Sequence, residues 1–175
     1  KIKIEKVFSD NFLVIESTSE LENYIESIQS FYIAVANPVE REKLRKKYVK
    51  IGWDNPTIVA STASVSRWDV RINAGSIVLG SCSISTSVFV GVSNLINKQV
   101  ILSHDVVTGD YCTISPGAKL LGGVHIGDYC EIGASATILP GVKLGAGCVV
   151  GAGSVVTKNF PPGSKILGMP GKKMN

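Results

Sequence analysis

Histidine is scarce in this chain: 175 residues contain two. Aromatic residues make up 7% and charged residues 18%, with a formal net charge of +4. The basic residues are spread rather than striped, and aromatics do not interleave with them, so a nucleic-acid partner is not expected. No apolar run approaches the ~18 residues of a membrane span. No signal peptide is visible either, so no membrane partner is expected. The chain begins with Lys1 rather than Met, and an earlier natural start is expected. None of the four cysteines forms a CxxC pair, which removes the usual signal for a metal or redox site. A glycine-rich phosphate loop after a first strand is also missing. The chain is still 45% hydrophobic and can bury a core.

What the chain does have is a period of six, over residues 60–161. Ile72, Val78, Ile84, Val90, Ile96, Leu102, Thr108, Ile114, Leu120, Ile126, Ile132, Ile138, Leu144, Val150 and Val156 fall in register, and only Thr108 is not aliphatic. Four places after each stands a small or slim residue, among them Ser76, Ala118, Val124 and all four cysteines, Cys82, Cys112, Cys130 and Cys148. Turn formers sit between, such as Pro116 with Gly117 and Gly122 with Gly123. The large and the small residue face the same side of a short strand, and the residues between them turn a corner. Three such sides close a coil of eighteen residues, and successive coils stack as parallel strands about 4.8 Å apart. A fixed period of six is the signature of a parallel β-helix. A helix is excluded because each glycine of the stretch would cost about 1 kcal/mol there. The cysteines read as core filler, and unpaired thiols fit a cytoplasmic protein.

Residues 1–50 differ, and read as a partial α/β unit. Alternation over 2–8 predicts a strand, and Thr18 with Glu20 and Glu22 predicts a helix start. The apolar run 31–36 (FYIAVA) predicts a buried parallel strand. Asn37 and Pro38 then cap a helix over 39–49, most of whose charges read as a solvated face. Residues 51–59 form a linker. The sequence 159–163 (NFPPG) should end the β-helix, since prolines cannot continue a ladder. The tail, 162–175, adds one extended segment and basic residues.

His104 falls on a corner and is followed by Asp105. A corner side chain points outward, so His104 is not core. An exposed imidazole beside a carboxylate is the arrangement a general base requires. Aspartate at a turn also has a purely structural explanation, and both readings stand at this point. Gly122, eighteen residues on, is the same corner one coil later. Its amide is placed to face an oxyanion, or it is simply a tight turn. His125 has no acid beside it and reads as surface.

The stretch INKQVILSHDVVTGDYCTISPGAKLLGGVHIGDYCEIGASATILPGVKLGAGCVVGAGSVV resembles the hexapeptide-repeat acyltransferases. Within them it is similar to the sialic acid O-acetyltransferase and nucleotide-amino-sugar N-acetyltransferase subfamily. FYIAVANPVEREK and ILGMPGKKM fit the same subfamily. The resemblance implies a left-handed β-helix, a homotrimer, and acetyl-CoA as co-substrate with no metal. It implies that His104 is the general base, Asp105 its partner and Gly122 the oxyanion donor. Thr113, Ala134 and Ala152 would contact acetyl-CoA, with Thr113 departing from the histidine often found there. Asp10, Asn11 and Ala36 would contact the acceptor, a sugar or nucleotide sugar, with Ala36 replacing a common glycine. Lys158, Lys165, Lys172 and Lys173 are candidates for the CoA phosphates, against a plainer reading as solvated lysines. A β-helical carbonic anhydrase needs three histidines per zinc, more than this chain carries. A non-catalytic β-helical scaffold or sugar-binding module is the alternative, and acetyl-CoA affinity separates it from an enzyme.

Overall fold

The computed structural model describes residues 3–7, 10–14 and 24–174. From Ile58 onward the chain winds into a parallel β-helix of two-residue strands. Its first face contains Ile77–Val78, Leu95–Ile96, Thr113–Ile114 and Glu131–Ile132; its second contains Ser83–Ile84, Ile101–Leu102, Lys119–Leu120 and Thr137–Ile138; its third contains Phe89–Val90, Val107–Thr108, His125–Ile126 and Lys143–Leu144. Within each face every strand pairs in parallel with the strand one coil away, for example Ile101 with Lys119 and Val107 with His125. The sixfold aliphatic column lies inside: Val90, Ile96, Leu102, Ile114, Leu120, Ile132 and Ile138 are all wholly buried.

Each corner repeats one backbone device. The residue directly before the slim position has a positive φ, at Ser87, Ser93, Gln99, Asp105, Tyr111, Gly117, Gly123, Tyr129 and Ser135. Glycine reaches this left-handed conformation without steric cost, and the others accept it inside a ladder that fixes both flanks.

The slim column is not uniform around the prism. Where the second face meets the third it is all valine: Val88, Val106, Val124 and Val142, each buried. Where the third face meets the first it is polar. There Ser76 Oγ donates to Gly91 O at 2.8 Å, Asn94 Nδ2 to Gly109 O at 2.9 Å, Cys112 Sγ to Gly127 O at 3.1 Å and Cys130 Sγ to Gly145 O at 3.3 Å. The residue is therefore chosen for size and also as a donor to a corner carbonyl of the following coil. The same edge is tight on its outside. A Cβ on Gly109 or Gly127 would come within 2.5 or 2.6 Å of the next coil's backbone.

The cysteines are buried and unpaired, as core filler should be. The proline pair corrects an expectation. Pro161 and Pro162 make a corner instead of a stop, and Lys165–Leu167 continues the first face in parallel with Val149. Prolines lack a donor, but the Pro161 carbonyl is engaged by Cys148 Sγ and Ser164 Oγ. Lys172–Lys173 then turns back antiparallel.

Before the β-helix, β1 (Lys3–Val7) pairs antiparallel with β2 (Asp10–Val14), a strand the sequence pattern did not announce. The helix start at Thr18 lies outside the described residues. The run 31–36 forms no strand, contrary to expectation, and only Ile33 in it is buried. Its carbonyls at Val35 and Ala36 are taken by a side chain, described below, instead of by a neighbouring strand. The helix α1 (Pro38–Lys50) forms as expected, with Asn37 Oδ1 accepting from Glu40 N at 3.0 Å.

The polar slim column yields a stability prediction. Cys112→Ser keeps the donor and should change unfolding free energy by less than about 1 kcal/mol. Cys112→Val leaves Gly127 O unpaired and should cost about 1–3 kcal/mol, read from urea unfolding.

Candidate active site

The prism has three edges, and they do different work. The edge joining the second and third faces carries Thr86, His104, Gly122 and Pro140 in successive coils, and can be called the histidine edge. His104 and Asp105 are each 63% exposed, and Nδ1 lies 2.8 Å from Asp105 Oδ2. Asp105 has φ 60°, so its backbone occupies the left-handed corner slot while its carboxylate turns to the neighbouring ring. The turn and the ring orientation are thus two uses of one residue. With Nδ1 engaged as a donor, Nε2 is the nitrogen left to accept a proton.

That nitrogen lies over the next coil. The amide of Gly123 donates to His104 O at 2.9 Å, which fixes the two coils in register. A Cβ at Gly122 would stand 2.5 Å from both Cε1 and Nε2 of His104. Glycine is required here by the imidazole, not by φ. The Gly122 amide donates to no acceptor among the described residues. The imidazole therefore lies against a residue of the next coil whose backbone amide is unengaged, and a base beside a free amide donor is the pairing acyl transfer calls for.

Ala134 and Ala152 lie one coil apart on a different edge, where the first face meets the second. Both are exposed, and their amides donate to nothing among the described residues. The Ala152 amide packs against Gly133, which has no room for a side chain. Within one chain the alanine edge and the histidine edge are separate corners of the prism.

Thr113 is not on an open edge at all. It is 6% exposed, donates from Oγ1 to Ala36 O at 2.7 Å and accepts from Arg41 Nη2 at 3.0 Å. Ala36 is exposed, and its carbonyl meets both side chains. Asp10 and Asn11 lie in β2, opposite Val7 and Lys6. His125 is exposed on the third face, as expected.

Arg41 is an exception to the solvated face expected of most charges in α1. It is 1% exposed. Nε donates to Ser93 O at 2.8 Å, Nη1 to Val35 O at 2.6 Å, and Nη2 to Tyr111 O at 2.7 Å and Cys112 O at 3.0 Å. Burial pulls its pKa below the usual guanidinium value, partly offset by the negative potential of Cys112, Glu131 and Tyr111. Five planar donors match a cage of carbonyls that a lysine could not fill. Tyr129 strengthens the junction by donating to Glu42 at 3.0 Å. Burial, and then that carboxylate, push its phenol up to about 12.

Among the described residues no cluster of three His, Cys, Asp or Glu side chains could hold a metal ion. No helix among them is long and apolar enough to cross a membrane.

The model for the bacterial transferase hexapeptide family (six repeats) matches residues 105–139 and 123–158. WeeI from Acinetobacter baumannii AYE superposes with a TM-score of 0.84 at 31% identity, over 88% of this chain and 76% of that one. The chain belongs to the hexapeptide-repeat transferase family. Its fold is accordingly that of the left-handed β-helix acyltransferases. PerB from Caulobacter crescentus, solved with CoA and GDP-perosamine, gives a TM-score of 0.87 at 29% identity, over 90% of this chain and 76% of PerB. The GDP-perosamine N-acetyltransferase of Escherichia coli O157:H7 is 34% identical over 96 residues, which is 55% of this chain. The match spans 43% of that relative, less than half its length.

Gly122→Ala tests the local geometry. The added methyl should push the His104 ring off Asp105, seen as a shift of the Nδ1 and Nε2 resonances. The melting temperature should stay within about 2 °C, because both side chains are at the surface.

Proposed function

We propose that this chain is an acetyl-CoA-dependent N-acetyltransferase acting on the amine of a nucleotide-linked amino sugar. The observation that carries this reading is the His104 imidazole, oriented by Asp105 and packed against Gly122, whose amide is unengaged among the described residues. The relatives named as N-acetyltransferases support an amine acceptor over a hydroxyl one. Structures of histidine-to-asparagine and histidine-to-alanine variants of the Caulobacter enzyme, both with CoA and GDP-perosamine, are equally similar to this chain.

In this mechanism the amine nitrogen attacks the thioester carbonyl of acetyl-CoA, and His104 Nε2 takes the proton the nitrogen gives up. Asp105 holds the ring and stabilises the imidazolium formed. The carbonyl oxygen gains the negative charge, and the Gly122 amide donates to it. Collapse breaks the carbon–sulfur bond, and the imidazolium returns the proton to the CoA thiolate. No metal is required.

Ala134 and Ala152 offer free backbone amides to acetyl-CoA. They stand on a different edge from His104, so a second copy would have to bring its alanine edge against the histidine edge. This favours a homotrimer with sites between adjacent prisms. The Ala36 carbonyl, held by Thr113 and Arg41, positions the N-terminal segment against the first face, and Asp10 and Asn11 belong to the same acceptor-binding part. The four unpaired thiols support a cytoplasmic location.

His104→Ala should lower kcat for acetyl transfer by about 10²–10⁴-fold, measured as CoA thiol release, with an unchanged melting temperature. Turnover within threefold of the native rate would end this assignment. A protein that binds no acetyl-CoA at all would favour a scaffold.

A further inference from the structure

The first coil is one residue longer than the rest. Ser64 pairs with Ser83, nineteen positions on, whereas Arg71 pairs with Phe89, eighteen on. The extra residue falls between Val65 and Arg71, at the top of the histidine edge. It accommodates Trp68, which is 77% exposed, the most exposed large apolar side chain among the described residues.

The backbone that presents this indole is fixed. Trp68 N donates to Ser66 Oγ at 3.2 Å, and Trp68 O accepts from Thr86 Oγ1 at 3.0 Å and from Ser87 N at 3.2 Å. Asp69 holds φ 49°. The next link down the edge is Asp105 N donating to Thr86 O at 3.1 Å. One ladder therefore runs from Trp68 through Thr86 to the His104 corner, and two strand spacings, about 10 Å, separate the backbones of the two corners. The next residue, Asp69, borders a hollow of about 200 Å³ that is also lined by Arg71, Ser87, Val88 and Phe89. An exposed indole on a braced loop, flanked by a cation and a carboxylate, suits a flat polar ring with a charged linker.

We propose that Trp68 is a stacking platform for the nucleobase of the acceptor, and so a specificity-determining residue. This rests on the acetyltransferase reading above. The two substrates must meet at His104 from opposite directions along the edge. Ala134 and Ala152, the amides assigned to acetyl-CoA, lie in later coils, while Trp68 lies in the first. The acceptor takes the side of the first coil. With its sugar amine at Nε2, the rest of a nucleotide sugar extends far enough to reach the indole.

The test combines kinetics and intrinsic fluorescence in the native chain, W68A and W68F. GDP, UDP, GDP-perosamine and CoA are titrated separately. A nucleoside diphosphate should quench the native emission, CoA should not, and W68F should lose the quench. In W68A the KM for the nucleotide sugar should rise about tenfold, the size of one lost base-stacking contact. The KM for acetyl-CoA should stay within twofold. W68F should recover part of the acceptor affinity. Quenching by CoA alone, or an unchanged acceptor KM, would overturn the platform. So would dissociation of W68A into monomers by light scattering, which would make Trp68 an interface residue. Absence of acetyl transfer by the native chain, with nucleotide quenching intact, would remove the acetyltransferase reading and keep the nucleotide platform. Transfer intact without quenching would remove the platform alone.

Discussion

Everything in this molecule depends on the register between neighbouring coils. Between the first and last coils, a parallel ladder sets each strand residue against the one eighteen positions later, and it does so through backbone hydrogen bonds such as Ile101 N to Ala118 O at 3.0 Å and Val107 N to Val124 O at 2.9 Å. A slip of one residue would turn every aliphatic outward. The same rule brings His104 over Gly122 and Tyr111 over Tyr129, whose rings stack at 5.5 Å. A surface constellation is thus read out of the core's periodicity. The fold does not need a long-range loop to assemble its chemistry, because corner residues align whenever the interior packs.

The three edges show how one repeat supports three roles. The histidine edge has valines inside and polar groups outside, so its corner backbone is supported from within while its side chains are free. The opposite arrangement holds where α1 docks. There the slim residues are donors, the corner glycines leave no room for side chains, and Arg41 inserts among the remaining carbonyls. Burying a cation without a carboxylate partner is costly unless each of its donors is satisfied. Here carbonyl oxygens and one hydroxyl do so. α1 is thereby tied to the prism by the hydrogen bonds of Arg41, with Tyr129 donating to Glu42 beside them.

Most of the β-helix was legible in the sequence because its signal is local and repeated. The aliphatic column, the corner glycines and the outward His104 all follow from a period of six. Beyond β2 and the proline corner, three features were not legible. The burial of Arg41 was hidden within a run of charges, since nothing in a charge pattern tells which side chain meets carbonyls brought from 52 and 70 residues away. The run 31–36 has strand composition but pairs with no strand among the described residues, and composition alone cannot supply one. Thr113 occupies an outward-facing strand position, yet it is covered by the N-terminal segment. Cys112, Cys130 and Cys148 carried a clue that was available: they recur every eighteen residues, once per coil, and so share one edge. That spacing marks a column with a common hydrogen-bonding task, beyond simple filling of space.

Substrate approach also follows from register. A nucleophile reaching Nε2 of His104 must stand outside the coil of Gly122, the residue packed against the ring, whose amide is unengaged among the described residues. The most direct measurement is a crystal structure of the chain with a non-hydrolysable acetyl-CoA analogue and GDP-perosamine. The account predicts the acyl oxygen within hydrogen-bonding distance of the Gly122 amide and the sugar nitrogen within about 3 Å of His104 Nε2. An acyl group bound away from the histidine edge, or a ring of His104 turned from Asp105 in the complex, would contradict it.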